Sequence, residues 1–139
     1  MKCPHCAFDL QRIPLKNVYV WTCAECGGGW FNVSDLEEVI IKKYPLSHLP
    51  SPTKEQMSKT EPASRLICPI CQGSVGLISI KSLAGGNIAT EACTVCHGRW
   101  LSGETMSRLK ERNRPSGLAT FLKRLFAPSH RGRGAKDTK

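Results

Sequence analysis

Between residues 18 and 22 the side chains alternate, with Val18, Val20 and Thr22 on one side of an extended chain and Tyr19 and Trp21 on the other. With residues 8–13 as a first strand and 14–17 as the turn, this predicts a β-hairpin. The period then changes. Leu36, Val39, Ile40 and Tyr44 recur at helical spacing, behind Asn32 as a helix cap and with Asp35, Glu37 and Glu38 in the first turns. Lys42 and Lys43 stand at the C-terminal end and Pro45 stops the helix. That helix is expected to pack on the hairpin beside Trp30, closing a small core over Cys3, Cys6, Cys23 and Cys26 and the metal that four such thiols imply.

The pattern then repeats. Strands over 75–81 and 87–93, a turn at Gly85-Gly86, Ser102 as a cap, and inward-facing Met106 and Leu109 restate the same plan, which Pro115 ends. Residues 23–39 align without a gap with residues 93–109. Between the copies lie Pro45, Pro50, Pro52 and Pro62, which read as a semi-extended linker that leaves the placement of the two modules open. Beyond them, Leu118, Phe121, Leu122, Leu125 and Phe126 form one face of a short helix over 117–127, with Lys123 and Arg124 off that face. Residues 129–139 read as disordered. The expected organisation is therefore a first module at 1–44, a linker at 45–65, a second module at 66–114 and a basic tail at 115–139.

All eight cysteines fall in CxxC pairs: Cys3/Cys6, Cys23/Cys26, Cys68/Cys71 and Cys93/Cys96. A module of about 45 residues buries too little apolar surface to fold unaided and needs a staple. Met1-Lys2-Cys3 leaves no room for an apolar leader, so none is expected, and no run approaches a membrane span. The reading is cytoplasmic, where paired CxxC knuckles are metal ligands rather than disulfides. Each set of four cysteines is expected to hold one zinc ion, two per chain, with iron as the alternative metal. Two local strings point elsewhere and are set aside. Cys3-Pro-His-Cys6 spells a redox dithiol but lacks the preceding strand. Cys93-Thr-Val-Cys-His97 spells a haem attachment site, but its aligned partner has Gly27 where the histidine stands. Trp30 and Trp100 occupy equivalent positions and read as core.

The net charge of +9 is unevenly placed. Residues 1–50 carry five basic and five acidic side chains, 51–107 five and four, and 108–139 ten and two. Two zinc–thiolate centres would lower the total to about +5 and make the first module acidic. Nearly all the excess positive charge is thus C-terminal, and Arg112, Arg114, Lys123, Arg124, Arg131 and Arg133 are the candidate residues for binding nucleic acid or another partner.

The motif CPxC, a hairpin, then CxxC-Gly-Gly-x-Trp, an apolar residue, Asn or Asp, and an acid before Leu resembles the transcription factor IIB-type zinc-ribbon family of small, mostly bacterial proteins. Cys3, Pro4, Cys6, Cys23, Cys26, Gly27, Gly28, Trp30, Phe31, Asn32, Asp35 and Leu36 carry the match. Cys68, Pro69, Cys71, Cys93, Cys96, Gly98, Trp100, Leu101, Ser102 and Met106 carry it in a second copy, which departs at His97 and Thr105. The resemblance implies two tandem zinc ribbons, each a β-hairpin plus a helix in a small metal-stabilised α+β fold, with the eight cysteines as ligands. No Ser/His/Asp set, phosphate loop or convergent carboxylate pair is present, so no enzyme and no small-molecule substrate are expected. Two functions follow: nucleic-acid association, transcription- or translation-related, through the basic tail; and a protein adaptor gripping partners with the ribbons and the 118–126 face. A membrane surface is a lesser third partner.

Overall fold

A computed structural model describes residues 1–59, 65–71, 75–83, 86–115 and 117–126. The first hairpin pairs β1 (Gln11–Leu15) with β2 (Val18–Thr22) around a two-residue turn, Leu15 facing Val18 and Lys16 taking a left-handed φ of 53°. A short strand, β3 (Gly29–Phe31), follows, and then helix α1 (Val33–Ile41). The second half gives β4 (Leu77–Leu83), β5 (Gly86–Cys93), β6 (Arg99–Leu101) and α3 (Gly103–Arg112), with α2 (Lys54–Lys59) between the halves and α4 (Gly117–Phe126) after them. The expected turn residue Gly85 lies outside the described residues.

The halves are not separate. Strand β3 pairs antiparallel with β6, giving one six-stranded sheet in the order β1-β2-β3-β6-β5-β4. Its register is Gly29 with Leu101, Trp30 with Trp100 and Phe31 with Arg99. Positions related by the 70-residue repeat therefore exchange across the seam, so a pseudo-twofold axis passes between the two tryptophans.

Strand alternation sends neighbouring side chains to opposite faces. On one face Val18, Val20, Phe31 and Leu101 pack under Leu36, Val39 and Ile40 of α1 and Met106 and Leu109 of α3 in a single core. On the other, the register lines up Arg12, Trp21, Trp30, Trp100, Glu91 and Ser79 in one row across all six strands. Trp30 and Trp100 pack there with the cysteines. This corrects the expected packing: α1 lies beside Phe31, on the face away from Trp30, and its core does not close over the metal.

Helix α1 ends earlier than Tyr44. Lys43 turns left-handed (φ 50°), and the Tyr44 N–H donates to the Val39 carbonyl at 3.2 Å, which reverses the chain and keeps the Tyr44 ring buried. Asn32 stands at the N-cap but makes no side-chain cap bond, whereas Ser102 accepts from the Thr105 N–H.

The presumed linker is structured over most of its described length. Leu46 and Leu49 are buried in the shared core, because they supply apolar side chains between the prolines. Lys110 Nζ donates to the carbonyls of Leu49 (3.3 Å) and Pro50 (2.7 Å) and to Ser51 Oγ (2.6 Å). Thr53 and Gln56 exchange reciprocal cap bonds at the start of α2. Buried Asn113, at the end of α3, donates Nδ2 to the carbonyls of Val39 (3.1 Å) and Tyr44 (3.0 Å), tying the second half to the end of α1. These contacts, with the β3–β6 seam, fix the relative placement that the prolines seemed to leave free. No described helix is long and apolar enough to cross a membrane.

Candidate metal centres

Each centre is built from tight turns that begin and end on a cysteine. In the three knuckles whose following residue is described, that residue has a left-handed backbone: Ala7 (φ 63°), Gly27 (φ 74°) and His97 (φ 62°). Its N–H donates to the carbonyl of the first cysteine: Ala7 to Cys3 at 3.0 Å, Gly27 to Cys23 at 2.9 Å and His97 to Cys93 at 3.0 Å. The first cysteine's N–H in turn donates to the carbonyl of Phe8, Gly28 or Gly98. His97 therefore adopts the conformation that glycine takes at the aligned position, at a steric cost that glycine does not carry.

The turns aim the sulfurs at two points. Cys3, Cys6, Cys23 and Cys26 offer four Sγ atoms, all within 4.8 Å of one another, and Cys68, Cys71, Cys93 and Cys96 do the same. Cys6–Cys23 lie 3.4 Å apart, Cys3–Cys26 3.7 Å, Cys68–Cys96 3.6 Å and Cys71–Cys93 3.8 Å. A zinc–sulfur bond of about 2.3 Å in a tetrahedron places its sulfurs about 3.8 Å apart. A disulfide would need about 2.05 Å, and all eight cysteines are free. Both donor sets fit a zinc ion. Backbone N–H groups also point at the sulfurs: His5 to Cys3 (3.4 Å), Cys71 to Cys68 (3.4 Å), and Val95 and Cys96 to Cys93 (3.4 and 3.5 Å).

Four adjacent thiols cannot all ionise without a cation, and each cluster concentrates negative charge on one sulfur. Hydrogen bonds from Cys26 and Cys3 hold Cys23 well below the ordinary thiol range. The reciprocal bonds to Cys23 raise Cys3 far above that range and push Cys26 up to about 12. In the second centre burial opposes ionisation of Cys93, but the N–H groups of Cys96 and Val95 outweigh it and bring the thiol to about 7. Burial raises Cys68 to about 12.

The centres differ in cover. Cys3, Cys23 and Cys26 are buried and Cys6 half-buried, while the second centre has Cys96 exposed and Cys71 half-buried. The first is lidded by the rest of the chain. A Cβ on Gly103 would sit 2.0 Å from the Cys26 carbonyl oxygen, and one on Gly27 would meet the Pro52 ring at 2.7 Å. The tryptophans lock the seam in the same way, Trp100 lying over Gly28 and Trp30 over Gly98, where an added Cβ would clash at 2.2 and 2.1 Å.

The expected binding residues are not gathered into one site. Arg112 and Arg114 are exposed at the end of α3, Arg114 lying 3.9 Å from Glu111. Arg124 is exposed on α4, the side chain of Lys123 is not described, and Arg131 and Arg133 lie outside the described residues. Sequence reasoning missed Lys110 and Asn113, whose roles depend on carbonyls about 60 to 74 residues away.

The family described as transcription factor zinc-finger matches residues 2–42, which hold the first four-cysteine set. No curated protein and no solved structure matches the chain. The fold and its sites define a small α+β metal-binding domain with two four-cysteine groups that can bind zinc, the first of them in a segment matching a zinc-ribbon family.

Proposed function

We propose that this chain is a non-enzymatic zinc protein whose rigid two-centre core carries a basic C-terminal segment to nucleic acid, in a transcription- or translation-related role. The observation that carries the reading is the segregation of charge: residues 108–139 hold ten basic and two acidic side chains, while the 107 residues before them hold ten and nine. Within α3 much of this charge is used internally, by Lys110 on the 49–51 carbonyls and hydroxyl and by Arg108 on Glu104 at 2.7 Å. From Arg112 onward the chain adds Arg114, Lys123, Arg124, Arg131 and Arg133. Released counterions make such binding steeply salt-dependent, with log K falling by about 0.9 per phosphate contacted for each decade of salt. The match of residues 2–42 to a transcription factor zinc-finger family supports the same reading.

The test is fluorescence anisotropy with labelled DNA and RNA over a salt series, comparing the zinc-loaded full chain with a 1–114 truncation. The full chain should bind with a steep salt slope, and the truncation should lose most of the affinity and the slope. Equal binding by both would move the site off the tail.

A second reading rests on α4, where Leu122, Leu125 and Phe126 are exposed, Phe126 at 80%. There the helix is a protein-docking face, and replacing Leu122 and Phe126 with Asp would abolish partner binding without changing the salt slope on nucleic acid.

A further inference from the structure

The row of side chains that crosses the cysteine face of the sheet contains all three tryptophans, and its two ends differ. Trp30 and Trp100 are sealed at the seam, each 1% exposed. Toward β1 the row opens. Trp21 is half-buried, Tyr19 on the same face is 45% exposed, and Arg12 lies directly across from Trp21. The Arg12 guanidinium stacks 3.7 Å over the Tyr19 ring and 5.9 Å from that of Trp21. The result is a run of planar groups, two of them aromatic and one cationic, on the outer face of a rigid hairpin.

The scaffold does not need these groups. At the pseudo-symmetric positions on β5 the chain carries Ala89 in place of Tyr19 and Glu91 in place of Trp21, and β4–β5 still forms a longer hairpin around its own cysteine centre. Glu91 there is engaged by Ser79 at 2.9 Å. The acidic residues Asp35, Glu37 and Glu38 belong to α1, on the opposite face of the sheet, so they do not oppose an anionic strand here.

We infer that Arg12, Tyr19 and the open edge of Trp21 form a stacking platform for the bases of single-stranded nucleic acid. This rests on the nucleic-acid reading above, and it divides the labour. The C-terminal segment supplies phosphate attraction, which any strand satisfies, and the platform supplies π-faces, which only unpaired bases can reach. The occupant follows from the chemistry: planar bases match the aromatic rings and the guanidinium plane, and the phosphates linking them match Arg12 and the basic segment.

The experiment uses the zinc-loaded full chain with three labelled probes: a 20-nucleotide mixed-sequence DNA strand, the same strand as RNA, and the corresponding DNA duplex. Tyr19→Ala should weaken single-strand binding by about tenfold, the loss of one stacked base, and leave duplex binding unchanged. Tyr19→Phe keeps the ring and should keep the affinity. Because Ala already stands at the equivalent position of the second half, Tyr19→Ala should retain both zinc ions. Unequal losses on the DNA and RNA strands would identify the strand the platform prefers and support it. Unchanged single-strand affinity, or an equal loss on the duplex, would overturn the platform and leave the tail reading standing. Failure of the unmodified chain to bind any probe would overturn both.

Discussion

Replacing Trp100 with Ala tests whether the seam makes one cooperative unit of the two halves. Trp100 is 1% exposed, lies over Gly28 of the other half and faces Trp30 across the β3–β6 pair. A tryptophan buries about 150–250 Å², which at roughly 25 cal/mol/Å² corresponds to about 4–6 kcal/mol. Truncation series for large aromatic side chains give about 3–5 kcal/mol. About 4 kcal/mol is a large part of the roughly 5–15 kcal/mol that holds a small domain. The decisive question is where the loss falls. Amide hydrogen exchange on the zinc-loaded chain should show protection in β2 and α1, which do not contain the substitution, falling along with that in β5 and α3. At about 1.4 kcal/mol per decade the drop approaches a thousandfold wherever exchange occurs through opening of the whole unit. Loss confined to β4–β6 and α3, with β1, β2 and α1 unchanged, would refute the shared core.

The cysteine centres give two more expectations. Cys26→Ser should release zinc from the first centre and lower exchange protection in both halves, because Gly103 sits against the Cys26 carbonyl and the first centre lies under the seam; Cys96→Ser, at an exposed ligand, should leave the first centre loaded, as native mass spectrometry would show. Zinc loading should release about three protons at the first centre near neutral pH, since the Cys23 bonds that raise Cys3 and Cys26, and burial at Cys6, keep those thiols protonated without metal. Zinc affinity must then fall as pH falls. Calorimetry in buffers of different ionisation enthalpy measures the proton count, and a count near zero would contradict the shared-thiolate description.

Much of this molecule was legible because its signals are local. The alternation of residues 18–22 gives the observed inward Val18, Val20 and Thr22, and the spacing of Leu36, Val39 and Ile40 gives the buried face of α1. The CxxC spacing gave the two cysteine groups, since the three knuckles described in full each close within five residues. The seam was not legible. A three-residue strand carries almost no periodicity, and nothing in Gly29-Trp30-Phe31 says that its partner is its own repeat. The available signal was the pairing of a small residue two positions before each tryptophan, Gly28 and Gly98, which leaves room for the opposite indole. The linker misled for a related reason: four prolines suggest an independent spacer, while Leu46 and Leu49 between them are the residues that dock. The same spacing argument misplaced Trp30, because adjacent residues in a strand face opposite ways and α1 follows Phe31.

The claim on which the rest depends is that eight cysteines build two zinc centres on one sheet, and native mass spectrometry of the purified chain, with elemental analysis for zinc and iron, tests it most directly. The expected result is a mass of the full chain plus two zinc ions, with all eight thiols bound and unavailable to alkylation. A chain carrying fewer than two zinc ions, or holding its cysteines as disulfides, would contradict it.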